Sequence, residues 1–100
     1  MLLIKAEIIF FKVNYTDYWY SDYLMPAFRF GEYLFTGKVE KSIYTRYEFD
    51  ETYSLDVTLP FVVDEIYEHV TDFIFIGSLI DIQDGSKVIG KAKILDYIYG

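Results

Sequence analysis

Apolar and polar residues alternate with a period of two along most of this 100-residue chain. Ile4, Ala6, Ile8 and Phe10 alternate with Lys5 and Glu7, which predicts a strand with one buried face that becomes apolar on both sides at Ile9 and Phe11. Phe28 and Phe30 straddle Arg29 after Pro26, so a second strand begins there. Tyr33, Phe35 and Val39 share a face against Lys38 and Glu40, with a bulge at Gly37. Tyr53, Leu55, Val57 and Leu59 alternate with Ser54, Asp56 and Thr58, and Pro60, which has no N–H to give a ladder, ends that strand. Leu79 to Ile82 and Lys87 to Leu95 flank Asp84-Gly85, a strong hairpin signal, and Tyr97 and Tyr99 carry the last strand onward.

Two stretches break the alternation. In FVVDEIYEHVTDF, residues 61 to 73, Val63, Ile66 and Val70 recur at helical spacing with Asp64, Glu65 and Glu68 toward the opposite side. It reads either as a short helix near residues 63–70 or as a long loop. NYTDYWYSDY, residues 14 to 23, holds five aromatic rings without Gly or Pro and reads as irregular. Short strands, one hairpin and little helix predict a mainly all-β fold, a small antiparallel β-barrel of six to seven strands, with an open sandwich as the competing architecture. With 53% apolar residues, the chain is expected to form a single domain over 1–100 and to bury a core without disulfides or metals.

Composition narrows the chemistry. The absence of cysteine excludes disulfides, zinc-thiolate sites and thiol nucleophiles. The apolar N-terminus, MLLIKAEIIFFKV, is interrupted by Lys5 and Glu7 and is followed by no small-residue cleavage site, so it reads as a strand. Phe73 to Ile80 is too short to span a bilayer. The expectation is a soluble, cytoplasmic protein with no membrane partner. Net charge is -7, and from Tyr47 to Ser86 ten carboxylates occur without one Lys or Arg, while the remainder carries nine basic against six acidic residues. Such asymmetry repels phosphate backbones and steers a chain toward basic partners, although an acidic surface also serves solubility alone.

Catalytic motifs are thin. Gly85-Ser-Lys-Val-Ile-Gly90-Lys91-Ala92 nearly matches a phosphate-cradling loop, but Ala92 replaces the magnesium-binding hydroxyl and the following residues read as strand. His69, the sole histidine, has Glu65, Glu68 and Asp72 nearby, which suggests a metal or acid–base site only if the group converges in a pocket; a solvated histidine is the simpler reading. Ser54 and Ser78 have no paired base in view. The expectation is a chain that is not an enzyme and uses no cofactor or metal. Tyr15, Tyr18, Trp19, Tyr20 and Tyr23 could stack bases, but Asp17 and Asp22 interrupt the run and only Lys12 lies close, so nucleic acid is not the expected ligand. The same rings suit a protein interface, or a lid over the barrel's open end.

The order of the strands resembles the C-terminal β-barrel domain of elongation factor Tu. IKAEIIFF is similar to its opening strand, YLMPAFRF to its tyrosine-x-proline-x-phenylalanine entry, FTGKVE to its threonine-glycine hairpin, YSLDVTL to its strand before a proline region, and IDIQDGSKVIGKAKILDYI to its closing hairpin. The resemblance implies a stand-alone barrel without the GTP-binding domain. The family's Gly-Gly-Arg loop, associated with transfer RNA, is replaced here by VNYTDYWYSDYL, so the resemblance implies fold and leaves function to the site.

Two functional expectations follow. The first is a non-enzymatic binding module that neutralises a basic protein, in its most concrete form an immunity protein or antitoxin covering the active site of a toxin such as a nuclease. Its partner-binding residues are Tyr15, Asp17, Tyr18, Trp19, Tyr20, Asp22 and Tyr23 from the aromatic run, and Asp64, Glu65, Tyr67, Glu68 and Asp72 from the acidic segment. The alternative is a translation-associated accessory that binds RNA or a translation factor through Lys5, Lys12, Arg29, Lys38, Lys41, Lys91 and Lys93 gathered on one side.

Overall fold

A computed structural model describes residues 1–20, 24–40 and 43–100. Nine strands and one short helix follow in order: β1 (Leu2–Phe10), β2 (Tyr18–Tyr20), β3 (Ala27–Phe30), β4 (Tyr33–Thr36), β5 (Lys38–Val39), β6 (Arg46–Glu48), β7 (Thr52–Leu59), α1 (Asp64–Val70) with a 3-10 turn at Thr71–Phe73, β8 (Leu79–Asp84) and β9 (Lys87–Tyr99). Seven strands form one antiparallel sheet in the order β4-β3-β8-β9-β1-β7-β5, and β2 and β6 form a separate pair. The large sheet curls into a half-barrel. Its two outer strands are one continuous segment on either side of Gly37: β4 pairs with β3, and β5 with β7.

Gly37 makes that change of partner sterically feasible. A Cβ there would lie 2.4 Å from the Phe28 ring and 3.0 Å from Val57, so only glycine lets the chain cross the packed interior at this point. The expected bulge is therefore a pivot, and Thr36-Gly37 is not a hairpin. The β3–β4 hairpin turns instead at Gly31-Glu32, between the paired Phe30 and Tyr33.

The period-two reading holds where it was strongest. Leu2, Ile4, Ala6, Ile8 and Phe10 of β1 and Tyr53, Leu55, Val57 and Leu59 of β7 are all buried. Each large aliphatic or aromatic side chain so buried contributes about 1.5–3 kcal/mol over leaving it in water. β9 is the middle strand of the seven, and β1 lies between it and β7. β9 accommodates the curvature with two irregularities in register: one against β8 between Ile82 and Gln83, and one against β1 between Lys5 and Ala6. Extra residues of this kind bend a strand and increase its twist. Gly90 sits beside the first, where an added Cβ would approach the Ile9 carbonyl oxygen to 2.4 Å.

The closing hairpin is centred one residue later than Asp84-Gly85. Asp84 pairs with Lys87, so Gly85 and Ser86 are the turn, and of the two only Gly85 has positive φ (60°). That is the pattern of a II′ turn, with glycine in the first central position. The helix forms as expected near 63–70, but of its apolar residues only Val70 is buried and Ile66 is half-buried, Val63 faces out at the N-cap position, and the flanking Val62 and Ile74 are buried outside the helix. Ile66 and Val70, four apart, share one side of the helix, whereas Val63 is the extended N-cap residue and precedes the first helical turn. Residues 14–23 are not wholly irregular, since Tyr18–Tyr20 pairs with Arg46–Glu48. Among the described residues, no helix is long and apolar enough to cross a membrane.

Candidate functional site

The aromatic residues meet at the end of the barrel that carries the β8–β9 turn. In the β2–β6 pair, Trp19 stands opposite Tyr47, whose fully buried ring packs 5.6 Å from Phe10 and 5.0 Å from Tyr53. Trp19 is largely buried and packs against this core, with Tyr15 edge-on at 5.9 Å. Among the described residues its buried indole N–H has no acceptor. Tyr18 and Tyr20 meet edge to face at 5.0 Å, their hydroxyls 2.8 Å apart, and the Arg46 guanidinium lies 4.5 Å over the Tyr18 ring. The Tyr15 hydroxyl donates to Asp84 Oδ2 at 2.9 Å, with the Lys87 ammonium 5.3 Å from the ring centre. Partial desolvation and the Asp84 carboxylate push the Tyr15 phenol above its ordinary pKa.

The aromatic run thus divides: Trp19 serves as a lid on the core, while Tyr15 and Tyr20 face outward, 53% and 55% exposed. Asp17 is exposed, and Asp22 and Tyr23 lie outside the described residues, as does Lys41. A recess of about 510 Å³ opens beside Trp19, bounded by Tyr18, Met25, Pro26 and Asp84.

The acidic segment occupies the opposite end. The Tyr67 ring stacks on Tyr99 at 3.9 Å and 9°, and the Tyr99 hydroxyl donates to the Asp64 carboxylate, tying α1 to the last residues of β9. That bond, with some desolvation and the nearby negative charge, pushes the Tyr99 phenol up to about 12. Asp64, Glu65, Glu68 and Asp72 are all exposed. His69 stacks on Tyr33 at 6.4 Å. Among the described residues, no group of three or more His, Asp or Glu side chains is placed to hold a metal ion.

β9 shows how far apart the two groups are. Lys87, at its start, lies over Tyr15, and Tyr99, at its end, holds α1; the thirteen-residue strand runs almost the length of a molecule 38 Å long. The two sets of candidate residues form two separate surfaces.

The lysines of the sheet do not gather on one side apart from carboxylates. Lys5 stands opposite Asp56 on β7 and Asp96 on β9, Lys93 opposite Glu7, and Lys91 pairs with Asp81 at 3.3 Å. Arg29 is in register with Asp81, and Arg46 is bound to Glu48 at 2.7 Å. The carboxylates of α1 and the 3-10 turn have no such cationic neighbours on their own elements.

Sequence patterning missed one feature. Phe73 to Ile80 is a long uncharged apolar stretch of which only the end, from Leu79, is strand, as the patterning predicts. Ile74 is buried, whereas Phe75, Ile76 and Leu79 are 53%, 69% and 66% exposed. An apolar run indicates burial, and only the pairing partners reveal that this one turns outward. A scan against protein-family models and a search of curated protein sequences both return no match to this chain.

Proposed function

We propose that this chain is a non-enzymatic protein-binding module whose acidic end docks a basic protein, and that its most concrete form is an immunity protein or antitoxin covering the active site of a toxin such as a nuclease. The observation that carries this reading is the segregation of charge. Cations on the sheet are interleaved with carboxylates across the strands, while Asp64, Glu65, Glu68 and Asp72 project together from one short segment. Uncompensated carboxylates speed encounter with a basic partner and fix its orientation. The same interleaving supports a protein-directed reading over an RNA-binding accessory, because a phosphate backbone needs a continuous positive path. The resemblance to the elongation factor barrel is retained as a proposal about fold alone.

The test is affinity capture from the source cell with the wild-type chain and with a Glu65→Lys, Glu68→Lys, Asp72→Lys variant, together with inspection of the adjacent reading frame for a basic toxin. The expected result is a basic protein captured by the wild type, released by salt and lost in the variant, at an unchanged thermal midpoint. Capture of transfer RNA and no protein would sink the proposal.

A further inference from the structure

Between the 3-10 turn and β8 the chain makes a tight turn at Phe75-Ile76-Gly77-Ser78. Ser78 N–H donates to the Phe75 carbonyl at 3.0 Å and Gly77 has φ of 92°, which is a type II turn with glycine at its third position. Neighbouring groups lock it in place. Gly77 N–H donates to the Ile94 carbonyl at 2.7 Å, Ile94 N–H returns a bond to Ser78 at 2.9 Å, and the Ser78 hydroxyl donates to the Phe73 carbonyl at 2.7 Å. Ser78 itself is buried.

This fixed backbone holds Phe75 and Ile76 out into solvent. Turns of this type ordinarily place Asp, Asn or Ser first and Pro second, so the fold does not require apolar residues at either position. A single exposed apolar side chain is unremarkable, but Phe75, Ile76 and Leu79 fall within five residues on one rigid support. The helix side of the turn is acidic, while Lys93 and Arg29 lie on the sheet side. Asp72, Glu68, Glu65 and Asp64 approach along the chain from the helix side, and no Lys or Arg occurs between Tyr47 and Ser86. On the sheet side Lys93 is level with Leu79, and it also faces Glu7.

We infer that the Phe75–Ile76 turn is the apolar anchor of the acidic docking surface, seated against an apolar patch of a basic protein whose Lys and Arg residues border that patch on the side facing Asp64, Glu65, Glu68 and Asp72. The inference rests on the docking function proposed above and adds what the charges alone do not supply. Surface carboxylates set encounter and orientation, while desolvated apolar anchors at the centre of an interface slow dissociation. A turn already pinned by four hydrogen bonds loses little further freedom when it is buried.

The test is NMR titration of the ¹⁵N-labelled chain with two probes, an amphipathic helical peptide of Lys and Leu and a poly-lysine of the same length. The amphipathic peptide is expected to shift the amides of residues 64–72 and 75–79 together, and poly-lysine those of 64–72 alone. Ile76→Ser and Phe75→Ser should each weaken the amphipathic peptide at least tenfold and leave both the poly-lysine affinity and the thermal midpoint unchanged. If the amphipathic peptide shifts only 64–72 and ignores both variants, the anchor is overturned and acidic docking stands. If neither probe perturbs 64–72, the docking reading itself fails. Concentration-dependent self-association abolished by Ile76→Ser would identify a contact between copies of this chain and overturn the inference.

Discussion

Trp19 separates the two roles open to the aromatic run, and its substitution can be predicted with a magnitude. Truncating a fully buried Trp to Ala costs about 3–5 kcal/mol. Trp19 is largely buried against the core, so Trp19→Ala should lose most of that, about 3 kcal/mol. For a domain of this size each kcal/mol moves the thermal midpoint by about 4–8 °C, giving a fall of about 12–24 °C. Trp19→Phe is the informative contrast. It keeps one ring on the core and removes a buried N–H that has no acceptor among the described residues. An unsatisfied buried donor costs about 1–3 kcal/mol, comparable to the area lost with the larger ring, so Trp19→Phe should stay within about 1 kcal/mol of wild type. Urea and thermal unfolding measure both, and Trp19, the only tryptophan, provides its own fluorescence signal in the wild type. An unchanged midpoint in Trp19→Ala would show that the ring does not pack on the core. A Trp19→Phe loss as large as that of Trp19→Ala would show that the indole N–H is satisfied in solution, and would refute the reasoning.

Three further perturbations follow from the backbone and from α1. Gly90→Ala should cost about 3 kcal/mol or more, because its Cβ would meet the Ile9 carbonyl oxygen, whereas Gly85→Ala should cost only about 1–2 kcal/mol, since its site is open and only the positive φ is strained; urea unfolding of both orders them. Asp50 is the one described non-glycine residue with positive φ (60°), so Asp50→Gly should stabilise by up to about 1 kcal/mol, read as a rise in thermal midpoint. The Tyr99 phenol titrates near 12 when folded and near 10 when unfolded, so the unfolded chain releases its proton first as pH rises. The stability contributed by the Asp64 bond is therefore fully present below about pH 10 and lost by about pH 12; Tyr99→Phe should flatten stability over that window and remove a tyrosine resonance that titrates near 12 from a ¹³C titration.

What the chain discloses without its fold follows from how local each feature is. The alternation in β1 and β7, the stop at Pro60, the turn at Gly85 and the short helix each depend on neighbours within a few residues, and each is legible in the sequence. Gly37 is not, because its necessity comes from the Phe28 ring nine residues earlier and Val57 twenty residues later. β2 escapes notice for a similar reason: three consecutive aromatic residues carry no alternation, and their strand character comes only from Arg46–Glu48. For the candidate site, the acidic character of residues 64–72 is plain in the composition, but its distance from the aromatic run is set by β9 crossing the whole molecule. The Phe75–Ile76 turn was hidden most deeply, since apolarity signals burial and only the hydrogen bonds to Ile94 and Phe73 turn these side chains outward.

The separation of the two ends assigns them different roles. Charges on the sheet's outer face cancel between adjacent strands, where opposed residues are only about 5 Å apart. Beyond a Debye length of about 8 Å, such a face presents little field to an approaching molecule. The aromatic end is likewise mixed, with Arg46 and Lys87 lying over tyrosine rings near Glu48 and Asp84. At the α1 end Asp64, Glu65, Glu68 and Asp72 are exposed on one short segment, with the Met1 ammonium beside Asp64 and Glu65. In the docking proposed above, a basic protein would be drawn toward α1 from a distance and would meet the exposed Phe75 and Ile76 on contact. Trp19, at the far end of β9 and packed on the core, contributes to the stability of the half-barrel, so Trp19 and the acidic residues lie at separate ends and do not form one surface.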